Sequence, residues 1–260
     1  MDMHMALLLT TLAGLSTGLG GLVVWLMRTP GPRIMALSQG FAAGVMMTVS
    51  LSEMLPSAVE AYAASGAAPV GAALRCASLC AAGMLAALLL EKSLPEDETL
   101  AQRLSVPGKT RAAALRGALA TTAAIVLHNL PEGILTLFTN AADSALGPSL
   151  ALAIALHNIP EGIAVAVPVY YATHSRAKSL LFALGSGLAE PAGALAAFFL
   201  LRGFFSPLFL NGLLALVAGV MLQVSFAQLL AGGFSYGKNG ACAVGLAVGT
   251  LCMGVGLYLV

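Results

Sequence analysis

The chain has 260 residues, of which 59% are hydrophobic and only 9% charged. A soluble domain carries roughly 25% charged residues, so this composition cannot build a water-facing surface, whereas a bundle embedded in a bilayer needs none. The formal net charge of +1 points to no class of partner.

The first apolar run begins at Met5, with no basic segment before it in Met1-Asp2-Met3-His4, and is read as a first span rather than a cleaved signal. Eight apolar stretches follow in order: Met5–Met27, Ile34–Leu55, Gly71–Leu90, Ala112–Thr139, Gly147–Tyr171, Ser179–Leu201, Pro207–Leu230 and Gly240–Val260. Each is long enough to cross about 30 Å of hydrocarbon as a helix. Short connections carry breakers such as Arg28-Thr-Pro-Gly-Pro-Arg33 and Gly232-Gly233. A single connection, at about 91–116, is long and polar, and it reads as a cytoplasmic loop. The fold expected is all-α: a polytopic bundle of eight spans forming a single transmembrane domain over 1–260. Cys76, Cys80, Cys242 and Cys252 all fall in apolar runs and read as small buried side chains rather than a disulfide or a metal pair.

Orientation follows from the basic residues. With the N-terminus outside, the inner connections hold Arg28, Arg33, Lys92, Arg103, Lys109, Arg111, Arg116, Arg176, Lys178 and Lys238, leaving only Arg75 and Arg202 of the 12 outside. The positive-inside rule therefore predicts both termini outside. The 29 glycines suit helices that must approach closely without a hydrophobic drive between them.

A doubled segment carries the chemistry. Leu127-His-Asn-Leu-Pro-Glu-Gly-Ile134 returns as Leu156-His-Asn-Ile-Pro-Glu-Gly-Ile163, inside the fourth and fifth predicted spans. Ionisable residues at that depth cost about 2.5–3.5 kcal/mol each on insertion scales, so they face a partner or a water-filled path. His128, Asn129 and Glu132 are spaced to share one helix face, and His157, Asn158 and Glu161 repeat the spacing. Pro131 and Pro160 remove the amides that would bond the Leu127 and Leu156 carbonyls, which predicts a kink in each helix. Two such faces offer imidazoles, amide oxygens and carboxylates, a mixed set that suits zinc, ferrous iron, manganese or cobalt better than sodium or copper(I). A structural hydrogen-bonding role would explain one copy, but two copies on adjacent spans favour metal. Axial haem ligation would leave both glutamates unexplained, and the His-Glu-x-x-His of an intramembrane metalloprotease is absent.

Glu190 adds another intramembrane carboxylate, in Gly185-Ser-Gly-Leu-Ala-Glu-Pro-Ala-Gly193. Glu53, in Ser52-Glu-Met-Leu-Pro56, fits an interfacial acid and a pathway role equally. Ala43-Gly-Val-Met-Met-Thr-Val-Ser50 of the second span resembles Ala218-Gly-Val-Met-Leu-Gln-Val-Ser225 of the seventh, which runs the opposite way. Opposed related halves around a central site are a recurrent transporter plan.

At these residues the chain resembles the ZIP family of metal-ion transporters, in its bacterial ZupT-type branch. The resemblance covers essentially the whole chain and rests above all on the doubled His-Asn-x-Pro-Glu-Gly. It implies a three-two-three helix arrangement, a binuclear centre between spans four and five, and uptake of divalent ions into the cytoplasm across a bacterial inner membrane. By position it implies Glu132, His157 and Glu161 around one ion, with His128 beside them. Asn129, Asn158, Glu190 and the same two glutamates would hold the other. Where the branch pattern has a second Glu-bearing segment, at the end of span seven, this chain reads Ser225-Phe-Ala-Gln-Leu-Leu-Ala231, with Gln228 in place of the acid. No prosthetic group is implied, only transported Zn2+, Fe2+ or similar ions. The expected partners are those ions and membrane lipids. No nucleic acid is expected, and a homodimer stays open. From a different class, a metal-dependent intramembrane hydrolase would use the same ligands but would also need a lipid-facing cleft.

Overall fold

The computed structural model describes residues 3–94, 109–142, 147–200 and 206–259. Most of the long connection at 91–116 lies outside them. Among the described residues the chain is helical throughout, with no strand. Eight helical segments are long and apolar enough to cross a membrane: His4–Trp25, Pro32–Ala64, Pro69–Ser93, Arg111–Phe138, Ala151–Thr173, Arg176–Phe199, Leu208–Ser235 and Asn239–Leu259. They are called spans one to eight below. Their number agrees with the sequence reading, but span two runs nine residues further, to Ala64 instead of Leu55.

The extension has a local cause. Span two passes through a π-helical turn at Ser50–Met54, immediately before Pro56. Proline offers no N–H to the Ser52 carbonyl, and the widened turn absorbs the mismatch so that the helix resumes. Span seven does the same at Val224–Leu230, without a proline. In both turns a serine hydroxyl donates back four residues, Ser50 to the Met46 carbonyl at 2.8 Å and Ser225 to that of Met221 at 2.7 Å. The repeat seen in the sequence is thus a repeat of backbone form. Span six breaks between Arg176–Gly187 and Ala189–Leu200, where Pro191 has no N–H for the Gly187 carbonyl.

Spans two and five are the most enclosed, each with 67% of its apolar window buried, whereas spans three and eight stand at the periphery with 17% and 22%. Span eight packs along span two, and span three along span seven. Spans four and five lie against each other, flanked by spans six and one. Leucines and valines such as Leu74, Leu85, Leu181, Leu251 and Val255 cover the outer face, as lipid contact requires. Cys76, Cys80 and Cys242 are buried as expected, but Cys252 is exposed on the outer face of span eight.

Four close approaches fix how the central helices meet. A Cβ on Gly133 of span four would collide with the Glu190 carbonyl of span six, and one on Gly193 with the Leu130 carbonyl. Correspondingly, a Cβ on Gly162 of span five would collide with the Thr17 carbonyl of span one, and one on Gly20 with that of Ile159. Only glycine lets the backbones come this near. Span four therefore sits on span six just as span five sits on span one.

Candidate metal site

The prolines do not interrupt their helices. The helix Lys109–Ala142 continues through Pro131, and the helix Gly147–Thr173 through Pro160. Continuity keeps each His, Asn and Glu on the face that their spacing predicts, and the two faces meet at the centre of the bundle. All seven candidate residues are buried: His128, Asn129, Asn158, Glu161 and Glu190 are fully enclosed, and Glu132 and His157 nearly so.

The pairing runs between helices. His128 Nε2–H donates to Glu161 Oε1 at 3.0 Å, and His157 Nε2–H donates to Glu132 Oε2 at 3.3 Å. Each helix thus supplies the imidazole for the other's carboxylate. The asparagines face outward from this crossing, towards the flanking spans. Asn129 Nδ2 donates to the Ser186 carbonyl of span six at 3.1 Å, and Asn158 Nδ2 to the Ala13 carbonyl of span one at 2.9 Å. Asn158 Nδ2 also reaches Glu190 Oε1, which brings the third carboxylate into the cluster.

Several lone-pair atoms in the cluster are buried without a hydrogen-bond partner: His128 Nδ1, Asn129 Oδ1, Asn158 Oδ1, Glu161 Oε2 and Glu190 Oε2. Leaving such atoms unmet costs about 1–3 kcal/mol each in a protein interior, so a concentration of them calls for a reason beyond stability. The buried His–Glu pairs give no such reason, because desolvation offsets much of their attraction. Among the described residues no three His, Cys, Asp or Glu side chains stand close enough together to hold an ion as they are. The imidazoles and carboxylates are engaged with one another, and the remaining donors are amide oxygens.

A cleft lined by Met54, Pro131, Glu132, Leu135, Leu210, Leu213, Leu214 and Val217 reaches Glu132 from the half of the bundle nearer the chain termini. On the other half, Thr121 Oγ1–H of span four donates to Gln228 Oε1 of span seven at 3.0 Å, in a buried contact. Glu53 is exposed in the π-helical turn of span two, with Ser57 Oγ 3.5 Å away. Glu53 and Gln228 each lie three residues after the repeated serine, so they are counterparts at opposite ends.

A profile described as ZIP Zinc transporter matches residues 95–259. The chain belongs to the ZIP zinc-transporter family. The family is one of transporters, so the hydrolase reading falls away. Across 98% of its length this ZIP chain is 39% identical to the zinc transporter ZupT of Chlorobium chlorochromatii, covering 97% of that protein. The ZupT of Chlorobium luteolum is 41% identical over the same shares of both chains. The ZupT of Streptococcus mutans is 36% identical over 100% of this chain and 99% of the relative. The ZupT-type branch expected from the doubled motif is therefore where its relatives fall, and the protein is a multi-span membrane protein.

Sequence reasoning missed Thr121 and Thr17, whose contacts are with helices distant in sequence. For Thr17 a signal existed: Gly14-Leu-Ser-Thr-Gly-Leu-Gly20 runs parallel to Gly187-Leu-Ala-Glu-Pro-Ala-Gly193, with Thr17 at the place of Glu190.

Proposed function

We propose that this chain carries zinc, and with it ferrous iron, manganese, cobalt and cadmium, into the cytoplasm through a binuclear site between spans four and five. The observation that carries the reading is the reciprocal His128–Glu161 and His157–Glu132 pairing, surrounded by unmet buried oxygen and nitrogen lone pairs. An arriving divalent ion exchanges these hydrogen bonds for coordinate bonds, so the donors lose no partner as water is stripped from the ion. One ion takes Glu132, His157 and Glu161, with His128 alongside. The second takes Asn129, Asn158 and Glu190, and the two motif glutamates bridge.

Both termini face the outside of a bacterial inner membrane in this proposal. What supports it is the gathering of Arg28, Arg33, Lys92, Arg111, Arg116, Arg176, Lys178 and Lys238 at the opposite end. The cleft reaching Glu132 is then the entry side, and the Thr121–Gln228 contact lies on the way out. A membrane potential alone drives entry, since about 2.3 kcal/mol per charge per 100 mV gives roughly 4.6 kcal/mol for a divalent ion. The test is zinc flux into proteoliposomes loaded with a zinc-responsive dye. Dye response in wild type and none in Glu161→Ala supports the proposal. Zinc binding without flux would make the protein a sensor or scaffold instead.

A further inference from the structure

Thr17 sits where the repeat of the fold places Glu190. The Glu190 carbonyl is the one that Gly133 approaches, and the Thr17 carbonyl is the one that Gly162 approaches. Four residues earlier the match holds again: Ser186 accepts the Asn129 amide, and Ala13 accepts the Asn158 amide. Gly14 and Gly187, three residues before Thr17 and Glu190, face each other, each blocking a Cβ on the other with its carbonyl. The asparagine of span five therefore has a carboxylate beside it, and the asparagine of span four has a threonine at the equivalent place.

The hydroxyl of Thr17 differs from those of six other helical threonines. Thr10, Thr11, Thr48, Thr122, Thr136 and Thr173 each donate to the carbonyl four residues back, at 2.7–2.9 Å. That acceptor for Thr17 would be Ala13, whose carbonyl already takes the Asn158 amide at 2.9 Å and has Ser16 Oγ 2.6 Å away, a hydroxyl that also lies 3.1 Å from the Ala155 carbonyl. The Ala13 carbonyl is thus contested by donors from two spans, and Thr17 Oγ1 is fully buried with no hydrogen-bond partner. Its place in the cluster is fixed by Gly187: a Cβ there would stand 2.9 Å from Thr17 Oγ1. The adjacent residue, Ser186, holds the Asn129 amide, whose Oδ1 is likewise unmet. Two orphaned neutral oxygens are thus held against adjacent residues of span six, Thr17 Oγ1 beside Gly187 and Asn129 through Ser186.

We infer that Thr17 Oγ1 and Asn129 Oδ1 form an uncharged oxygen edge of the metal site, opposite the Asn158–Glu190 edge, and that this edge favours oxygen-preferring ions such as manganese over zinc. The inference rests on the proposed metal centre between spans four and five. Neutral oxygens suit manganese, whereas zinc draws more on imidazole. The replacement of a carboxylate by a hydroxyl also leaves the two halves of the site unequal in charge.

The test compares wild type, Thr17→Val, Thr17→Ser and Glu161→Gln as purified full-length proteins, by melting temperature with and without Mn2+ or Zn2+. Valine keeps the shape and removes an unmet hydroxyl, so Thr17→Val should melt no lower than wild type when no metal is added. Its manganese affinity should fall about tenfold and its zinc affinity by no more than about twofold, with serine restoring the manganese value. Three results overturn the inference: unchanged manganese binding in Thr17→Val, equal loss for both metals, or a lower melting temperature without metal. If wild type itself shows no metal-induced shift, or Glu161→Gln keeps it in full, the metal centre fails rather than the role of Thr17.

Discussion

His128 hydrogen-bonds Glu161 of the neighbouring span, not Glu132 one turn along its own helix. The spacing of His128 and Glu132 would permit a pair within one helix. The structure uses that shared face differently, turning both side chains towards span five. Each half of the doubled motif is thereby completed only by the other.

Removing Glu161 should accordingly damage more than one contact. Glu161→Ala strips the acceptor from His128 and a carboxylate from the centre. Zinc uptake should fall more than about 100-fold, beyond the 10–100-fold typical of losing a residue that merely supports a ligand. Uptake assays must be paired with membrane-fraction immunoblots, and near-normal flux at normal protein level would refute the role given to this residue.

Histidine 157 should discriminate between metals. Imidazole is a strong donor to zinc, whereas manganese accepts an oxygen set. His157→Gln should weaken zinc transport more than manganese transport, and Glu190→Gln should weaken both. A histidine must be neutral to hold a metal ion, so zinc flux should fall as the medium is acidified. Competition uptake of the two ions at neutral and mildly acidic pH checks both points.

Close backbone contact at the motif glycines gives a stability prediction. Gly133→Ala and Gly162→Ala force a methyl against the Glu190 and Thr17 carbonyls, and overpacking of this kind costs about 1–3 kcal/mol. Gly117, on the same helix as Gly133 but with open space around it, is the control. Its replacement by alanine should be neutral or stabilise by up to about 1 kcal/mol through helix propensity. Thermal melts of the three variants in detergent separate the cases.

Orientation can be read with a thiol reagent that does not cross membranes. Ser65 lies exposed between spans two and three, and Lys238 lies exposed between spans seven and eight. A cysteine at Ser65 should be labelled from outside intact cells, and one at Lys238 only after permeabilisation. The reverse pattern would invert the transport direction proposed above.

Hydropathy and the doubled motif made the eight spans and the position of the candidate site legible in the sequence. Both signals are local: a run of apolar residues, or an i, i+3, i+4 spacing, is complete within one helix. Which neighbour each face meets is not local, so the crossing of His128 to Glu161 and His157 to Glu132 could not be read. The extension of span two was hidden for a different reason. Pro56 signals a break, and only the π-helical turn at Ser50–Met54 allows the helix to pass it. The orphaned hydroxyl of Thr17 depends on how Ser16 and Asn158 share one carbonyl, a competition among three residues from two distant segments.

The crossed pairing bears on how the two copies of the motif can change over generations. Leu127–Ile134 and Leu156–Ile163 differ at a single position, Leu130 against Ile159, which lies outside the His–Glu exchange. A duplicated segment ordinarily supplies a spare that is free to drift. Here neither copy is a spare, because a change at His128 is felt by Glu161 and a change at His157 by Glu132. A defect in one helix would be repaired most readily by a compensating change in the other, so the duplicates are bound to a shared inheritance.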